Sequence, residues 1–114
     1  MKLFDSEWKV MDELWENGDL SAKELSQRLN SCVGWNKNTT YTVIKKCVDK
    51  GAIARLEPNF ICHALISRRE ETQALLDRAF DGSAELLMAS LLGQETLSPE
   101  TLERLRRMIE EQDV

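Results

Sequence analysis

At 114 residues, with a net charge of -5 and a pI near 4.9, the chain is small and acidic. It has room for one ordinary core, or for a small domain plus a helical appendage that a partner must cover. No stretch approaches the roughly 18 apolar residues of a membrane span, and residues 1–7 lack the apolar run of a signal peptide. Cys32, Cys47 and Cys62 are odd in number and far apart, poor material for a disulfide framework and compatible with a reducing compartment. A cytoplasmic protein without a membrane partner is therefore expected.

Trp8, Val10, Met11, Leu14 and Trp15 mark an apolar stripe. They predict a first helix that starts near Asp5 or Ser6, either able to cap it, and ends near Asn17-Gly18. Ser21-Ala-Lys-Glu24 has the spacing of a capping box and opens a second helix, carried inward by Leu25 and Leu29. Asn30-Ser-Cys-Val-Gly34 reads as a linker, with Cys32 in a loop. A third helix then runs from its cap, Asn36, to a stop at Gly51.

In that third helix Thr40, Val43, Ile44, Cys47 and Val48 follow the i, i+3, i+4, i+7, i+8 spacing of a buried face. Turning about 100° per residue puts Asn38, Thr42, Lys45, Lys46 and Asp49 opposite, with Thr39 and Tyr41 at the flanks. Short amides, hydroxyls and amines suit base edges and phosphates. The charge balance points the same way. Lys2, Lys9, Lys23 and Arg28 are outnumbered by Asp5, Glu7, Asp12, Glu13, Glu16, Asp19 and Glu24, whereas residues 35–55 carry Lys37, Lys45, Lys46, Lys50 and Arg55 against Asp49 alone. A basic patch on an acidic body docks phosphate in one orientation and repels it in others, which predicts moderate, salt-sensitive affinity for double-stranded DNA.

Beyond Gly51, two short apolar runs, Ile53-Ala-Arg-Leu56 and Phe60-Ile-Cys-His-Ala-Leu65, flank Glu57-Pro-Asn59 and predict a hairpin. Three helices and a hairpin make a winged helix-turn-helix. From Ser67 the chain turns helical again, with a second capping box at Ser67-Arg-Arg-Glu70 and a break at Asp81-Gly82. Leu86, Leu87 and Leu91 belong to a helix that is apolar nearly all round, and Leu102, Leu105, Met108 and Ile109 form one stripe of a last helix capped by Ser98 with Pro99 first. Such faces ask for a partner, and a twofold homodimer would bury both and space two third helices for a palindromic operator. The expected class is thus mostly α: a DNA-binding winged helix over residues 1–66 and a helical dimerisation region over 67–114.

The ordered set Ser6-Glu-Trp8, Val10-Met11, Leu14-Trp15, Trp35-Asn-Lys-Asn-Thr39, Thr42, Lys50-Gly-Ala-Ile53, Phe80-Asp-Gly82 and Leu97-Ser-Pro-Glu100 resembles the penicillinase repressor family, the BlaI/MecI/CopY group of bacterial winged-helix repressors. The resemblance implies a homodimeric transcriptional repressor whose DNA contacts map onto Asn38, Thr39, Tyr41, Thr42 and Lys46. In the penicillinase branch it implies derepression by a sensor protease at an Asn-Phe bond; the matching position here is Ser90-Leu91, where both side chains differ. Copper-responsive members use paired Cys-x-Cys motifs in the tail, and this tail has no cysteine. Where the family wing commonly ends in a basic turn, this one has Glu57-Pro58-Asn59.

Other readings are weaker. The three tryptophans pack rather than stack on single strands, since Trp8 and Trp15 fall within an apolar stripe. Cys62 and His63 are strand neighbours that point to opposite faces, so no metal site is expected, and no cofactor. Cys47 acts as a small apolar residue. One histidine, no phosphate-binding loop and no nucleophile beside a base leave no enzyme to assign. Arg104, Arg106 and Arg107 are interleaved with Glu103, Glu110 and Glu111, as on a solvated face. The competing function is a winged-helix protein-interaction module that binds through its acidic surface, because fold alone does not specify DNA binding.

Overall fold

Helix α1, Asp5–Asn17, forms where the apolar stripe predicts it, and buries Val10, Met11 and Leu14. The structure is a computed structural model that describes residues 1–93 and 97–112. Its helix start differs from expectation: the cap position is Phe4, not Asp5 or Ser6. The Phe4 N–H donates to Glu7 Oε1 at 2.7 Å, so a carboxylate three residues into the helix reaches back and a capping side chain is not required.

Ser21 and Glu24 close the expected capping box, Ser21 N–H to Glu24 Oε1 and Glu24 N–H to Ser21 Oγ, both at 3.0 Å. The Ser21 backbone bond, followed by its hydroxyl, holds the Glu24 carboxyl below its ordinary pKa. Helix α2, Ala22–Val33, runs further than expected. The segment read as a linker is its last turn, because Gly34 takes a left-handed conformation (φ 74°) and returns its N–H to the carbonyls of Asn30 and Leu29. Cys32 therefore sits exposed on a helix, not in a loop.

Helix α3, Lys37–Asp49, starts from Asn36, whose Oδ1 accepts the Thr39 N–H at 2.8 Å. A two-residue strand, β1 (Leu20–Ser21), was too short to show any pattern in the sequence. The wing is β2 (Ile53–Leu56) and β3 (Ile61–Ala64). The sheet order is β1-β3-β2, all antiparallel, with Leu20 opposite Cys62 and with Ile53, Arg55 and Leu56 opposite Ala64, Cys62 and Ile61. Phe60 belongs to the turn rather than the strand, at φ 49° beside Asn59 at 73°.

The chain divides into two compact units, Met1–Ala74 and Leu75–Val114. The core of the first joins Met11 and Leu14 of α1, Leu25 and Leu29 of α2, Ile44 and Cys47 of α3, and Ile53 and Cys62 of the sheet. Trp8 and Trp15 pack on it edge to face, centroids 5.4 Å apart, and Trp15 Nε1 donates to the Ile66 carbonyl at 2.9 Å. Helix α4, Arg68–Phe80, begins where Ser67 Oγ accepts the Glu70 N–H at 3.0 Å. Arg68 ties that start to α1 through Asp12 at 3.0 Å and Glu16 at 3.2 Å. Asp81 and Gly82, at φ 49° and 76°, end α4 as expected. In the second unit, α5 (Ala84–Gly93) and α6 (Pro99–Gln112) contain no buried residue among those described.

Among the described residues Glu7 and Glu71 are the buried acids, and Glu7 is the deeper. Glu7 is inaccessible to solvent, and besides the Phe4 N–H its Oε1 accepts from Lys50 Nζ at 2.6 Å. Lys50 also donates to the Lys2 carbonyl at 2.8 Å and lies 4.1 Å from the Phe4 ring centroid. The far end of α3 is thus fastened to the first turn of α1 through a buried carboxylate, whose Oε2 accepts no hydrogen bond among the described residues.

Lys50→Met is expected to cost about 2 kcal/mol in urea unfolding, below the 3–5 kcal/mol of a fully buried pair because Lys50 keeps some access to water. Adding Glu7→Gln should restore at least half of that loss; a cost under about 0.5 kcal/mol would show that the pair does not hold the fold. Burial pushes the thiols of Cys47 and Cys62 up to about 12 and about 11. In the native protein at pH 8, Ellman's reagent should titrate Cys32 alone, with the other two thiols reacting only after unfolding; fast reaction of more than one thiol would contradict this packing.

Candidate nucleic-acid interface

Because Thr40, Val43, Ile44 and Cys47 are buried, the rotation of α3 about its axis is fixed. Asn38, Thr39, Thr42, Lys45 and Lys46 are all exposed, and Tyr41 is half-buried at the flank. Asn36, Asn38, Thr39, Thr42, Val43 and Lys46 line a shallow depression of about 330 Å³ at the start of the helix. Neither Lys45 nor Lys46 is in an ion pair among the described residues, so both ammonium groups are open to an incoming anion. An amide, two hydroxyls and two free amines on one convex helical face can hydrogen-bond base edges and phosphates in a groove wide enough for a helix.

The turn that presents this face is held at both sides. Asn30 Nδ2 donates to the Trp35 carbonyl at 3.0 Å, and the Trp35 N–H returns to Leu29 at 3.3 Å. Asn36 then caps α3, a contribution of about 1 kcal/mol for such a residue. The start of the helix, where Asn38 and Thr39 lie, is fixed to the core through α2.

Beside α3 the wing adds groups that the helical periodicity does not reach. Pairing with Cys62 puts Arg55 on the inner face of the hairpin, like Ile53, but past the edge of the core, where it is exposed. Its guanidinium stacks on Phe60 at 3.8 Å from the ring centroid. Phe60 meets Tyr41 edge to face at 5.9 Å, and Lys37 Nζ lies 5.5 Å from the Tyr41 centroid. Tyr41 thereby props the wing against the helix, an aromatic contact of about 0.5–1.5 kcal/mol. Tyr41, Lys45, Val48, Asp49, Arg55 and Phe60 line a cleft of about 390 Å³ between helix and hairpin. From the sequence Arg55 counts in the basic patch, but neither it nor Phe60 is assigned as a DNA contact, although period-two alternation from Ile53 points Arg55 inward.

Glu57 stands at the tip. Its Oε1 accepts from Arg55 Nε at 2.5 Å, and its Oε2 from the Phe60 N–H at 3.4 Å. The Arg55 bond is the main reason that the Glu57 carboxyl stays below its ordinary pKa. On the same hairpin Cys62 is buried, whereas His63 is half-exposed, with Nδ1 2.8 Å from Asp19 Oδ1, so the two point apart as strand neighbours do.

The tail residues are apolar and open. Leu86, Leu102, Met108 and Ile109 are exposed, the last two by 58% and 64%, and Leu87, Leu91 and Leu105 are half-covered. The Ser90–Leu91 bond lies inside α5, and Ser90 Oγ donates to the Leu86 carbonyl one turn back at 2.9 Å. Arg106 pairs with Glu103 at 2.7 Å and Glu110 at 2.8 Å along the exposed side of α6. No described helix is long and apolar enough to cross a membrane.

Residues 3–111 match the penicillinase repressor family. The chain is similar to the methicillin resistance regulatory protein MecI of Staphylococcus aureus (strain N315), 23% identical over 114 residues that span 95% of this chain and 93% of that protein. It is similar to the penicillinase repressor of Bacillus licheniformis, 22% identical over 116 residues, 96% of this chain and 91% of the relative. An uncharacterized 16.5 kDa protein of Latilactobacillus sakei is 24% identical over 110 residues, 91% of this chain and 75% of that one. A match that runs from the N-terminal arm through the wing to α6 embraces both units, and the chain belongs to the penicillinase repressor family.

Proposed function

We propose that this transcriptional repressor acts as a homodimer on a palindromic DNA operator in the cytoplasm, with α3 entering the major groove. The observation that carries the reading is the outward face of α3. Asn38, Thr39 and Thr42 offer base-reading groups, Lys45 and Lys46 offer ammonium groups with no carboxylate partner among the described residues, and Tyr41 flanks them. Family membership supplies the repressor role. The acidic remainder of the molecule disfavours docking by any other side.

The dimer contact is assigned to Leu86, Leu87 and Leu91 of α5 and Leu102, Leu105, Met108 and Ile109 of α6, apolar residues among which Leu86, Leu102, Met108 and Ile109 are exposed. Pairing two copies over these stripes removes that surface from water and sets two α3 helices one DNA turn, about 34–36 Å, or a multiple apart. Relief of repression by a sensor protease at Ser90–Leu91 belongs to the same reading. It requires α5 to unwind first, because the bond lies in a hydrogen-bonded helix and proteases cut extended chain.

The test is a binding titration against the DNA upstream of its own gene and a scrambled duplex. Thr42→Ala should lose about tenfold or more on the upstream duplex and little on the scrambled one, as expected for a base contact of about 1–3 kcal/mol. Lys46→Ala should weaken both and flatten the salt dependence by about 0.9 in log-log slope. If no duplex is bound above the non-specific level at low salt, the operator reading is lost, and a protein-interaction role becomes the better account.

For the assembly, sedimentation equilibrium at tens of micromolar protein should give twice the 13.1 kDa chain mass. Leu105→Glu with Ile109→Glu should give the single chain with its N-terminal unit still folded. A wild-type monomer would rule out the tail as a dimer contact.

A further inference from the structure

We propose that Arg55 is a DNA-phosphate ligand held in reserve by Glu57, so that one wing carboxylate sets how tightly this winged helix grips DNA. The proposal rests on the DNA-binding reading above and adds a control element that lies outside α3.

The geometry supplies each part. The strand register aims Arg55 inward, toward the cleft it shares with Tyr41, Lys45 and Phe60. Lys37, Tyr41, Phe60 and Arg55 follow one another as a cation-aromatic row beside the helix, at 5.5, 5.9 and 3.8 Å. Stacking on Phe60 restrains the guanidinium plane and leaves its edge N–H groups to bond outward. A planar fork held in that way suits a phosphate, which takes parallel charge-assisted hydrogen bonds from arginine.

That edge is already engaged. Glu57 Oε1 sits 2.5 Å from Arg55 Nε, with both side chains more than half exposed, at 52% and 59%. The carboxylate therefore occupies an acceptor position that a phosphate oxygen would take, and it places a negative charge where the wing would approach the duplex. Exposed ion pairs of this kind are weak, so dense DNA charge can compete for the guanidinium, but only by separating the pair. Lys45 and Lys46 face no such competitor among the described residues. Asp49, the other acid lining the cleft, belongs to α3 and stays in place when Glu57 is changed.

Glu57→Gln removes the charge and keeps an acceptor for Arg55 at Oε1, at the cost of the long bond from the Phe60 N–H, because Oε2 becomes an amide nitrogen. The experiment measures DNA affinity by fluorescence anisotropy on the upstream and scrambled duplexes from about 50 to 300 mM salt. It uses the full-length chain as wild type, Glu57→Gln, Arg55→Ala and the double variant, with thermal melts confirming that each is folded. Glu57→Gln should bind both duplexes about 3- to 10-fold more tightly, with a salt slope steeper by about 0.9, because a phosphate contact carries no sequence information. Arg55→Ala should change the wild-type affinity by less than about 2-fold, and in the Arg55→Ala background Glu57→Gln should gain less than about 2-fold.

Two results overturn the proposal: no gain with Glu57→Gln, or an equal gain with and without Arg55, which is the same outcome as an equal Arg55→Ala loss in both backgrounds and would make Glu57 only a repelling charge. Thr42→Ala in the same titration reports separately on operator reading. If it leaves the preference for the upstream duplex unchanged, that reading fails, whereas the Arg55–Glu57 cycle on either duplex still decides the wing.

Discussion

Burial of Thr40, Val43, Ile44 and Cys47 sets the orientation of α3, and the candidate interface follows from that orientation. A helix has one rotation at which those four side chains are covered. At that rotation Asn38, Thr42, Lys45 and Lys46 are exposed. Turning the helix by one residue would expose Ile44 and bury a lysine, a cost of several kcal/mol from the apolar side chain and the unpaired charge together. The candidate interface is specified less by its own residues than by those on the reverse side. Glu7 and Lys50 then fix how far along its axis the helix lies, because the pair fastens its last turn to the first turn of α1.

The charge distribution shows the same division of labour. Acids on α1 are taken up internally: Glu13 by Arg28 at 2.6 Å, and Asp12 and Glu16 by Arg68. Those pairs fasten α2 and the start of α4 to α1. Along α3 itself, Lys37, Lys45 and Lys46 pair with no carboxylate among the described residues, in contrast to Lys50 at its end, and their charge is open to a ligand. The wing is the place where the two patterns meet, since Arg55 faces the cleft beside α3 and is paired nonetheless.

Much of this was legible in the sequence. Alternation and capping residues located α1, α3, the hairpin and the tail helices, and the periodicity of α3 identified the exposed face that the structure presents. The departures have local causes. Phe4 replaces Asp5 or Ser6 at the cap because Glu7 bonds the free N–H from within the helix. α2 absorbs the supposed linker because the left-handed residue that ends it is Gly34, at the linker's far end. β1 consists of two residues, fewer than alternation needs to register. The Glu7–Lys50 pair and the Arg55–Phe60–Tyr41 row join residues distant in the chain or on different elements, and no periodicity in a single segment can announce such contacts.

Strand β1 has a consequence for how much length variation the chain tolerates. Leu20 pairs with Cys62 and Ser21 with Ile61, the Ala22 N–H donates to the Phe60 carbonyl at 2.9 Å, and Ser21 also caps α2. Three consecutive residues therefore set the start of one helix and the seat of the hairpin together. Surface connections usually absorb insertions and deletions easily, but a shift of one residue here would turn Leu20 outward and move the α2 cap off its helix in the same step. The Gly18-Asp19 turn, short and open to solvent, is thus a spacer whose length is fixed by elements on either side of it, and changes in chain length are better accommodated elsewhere in this unit.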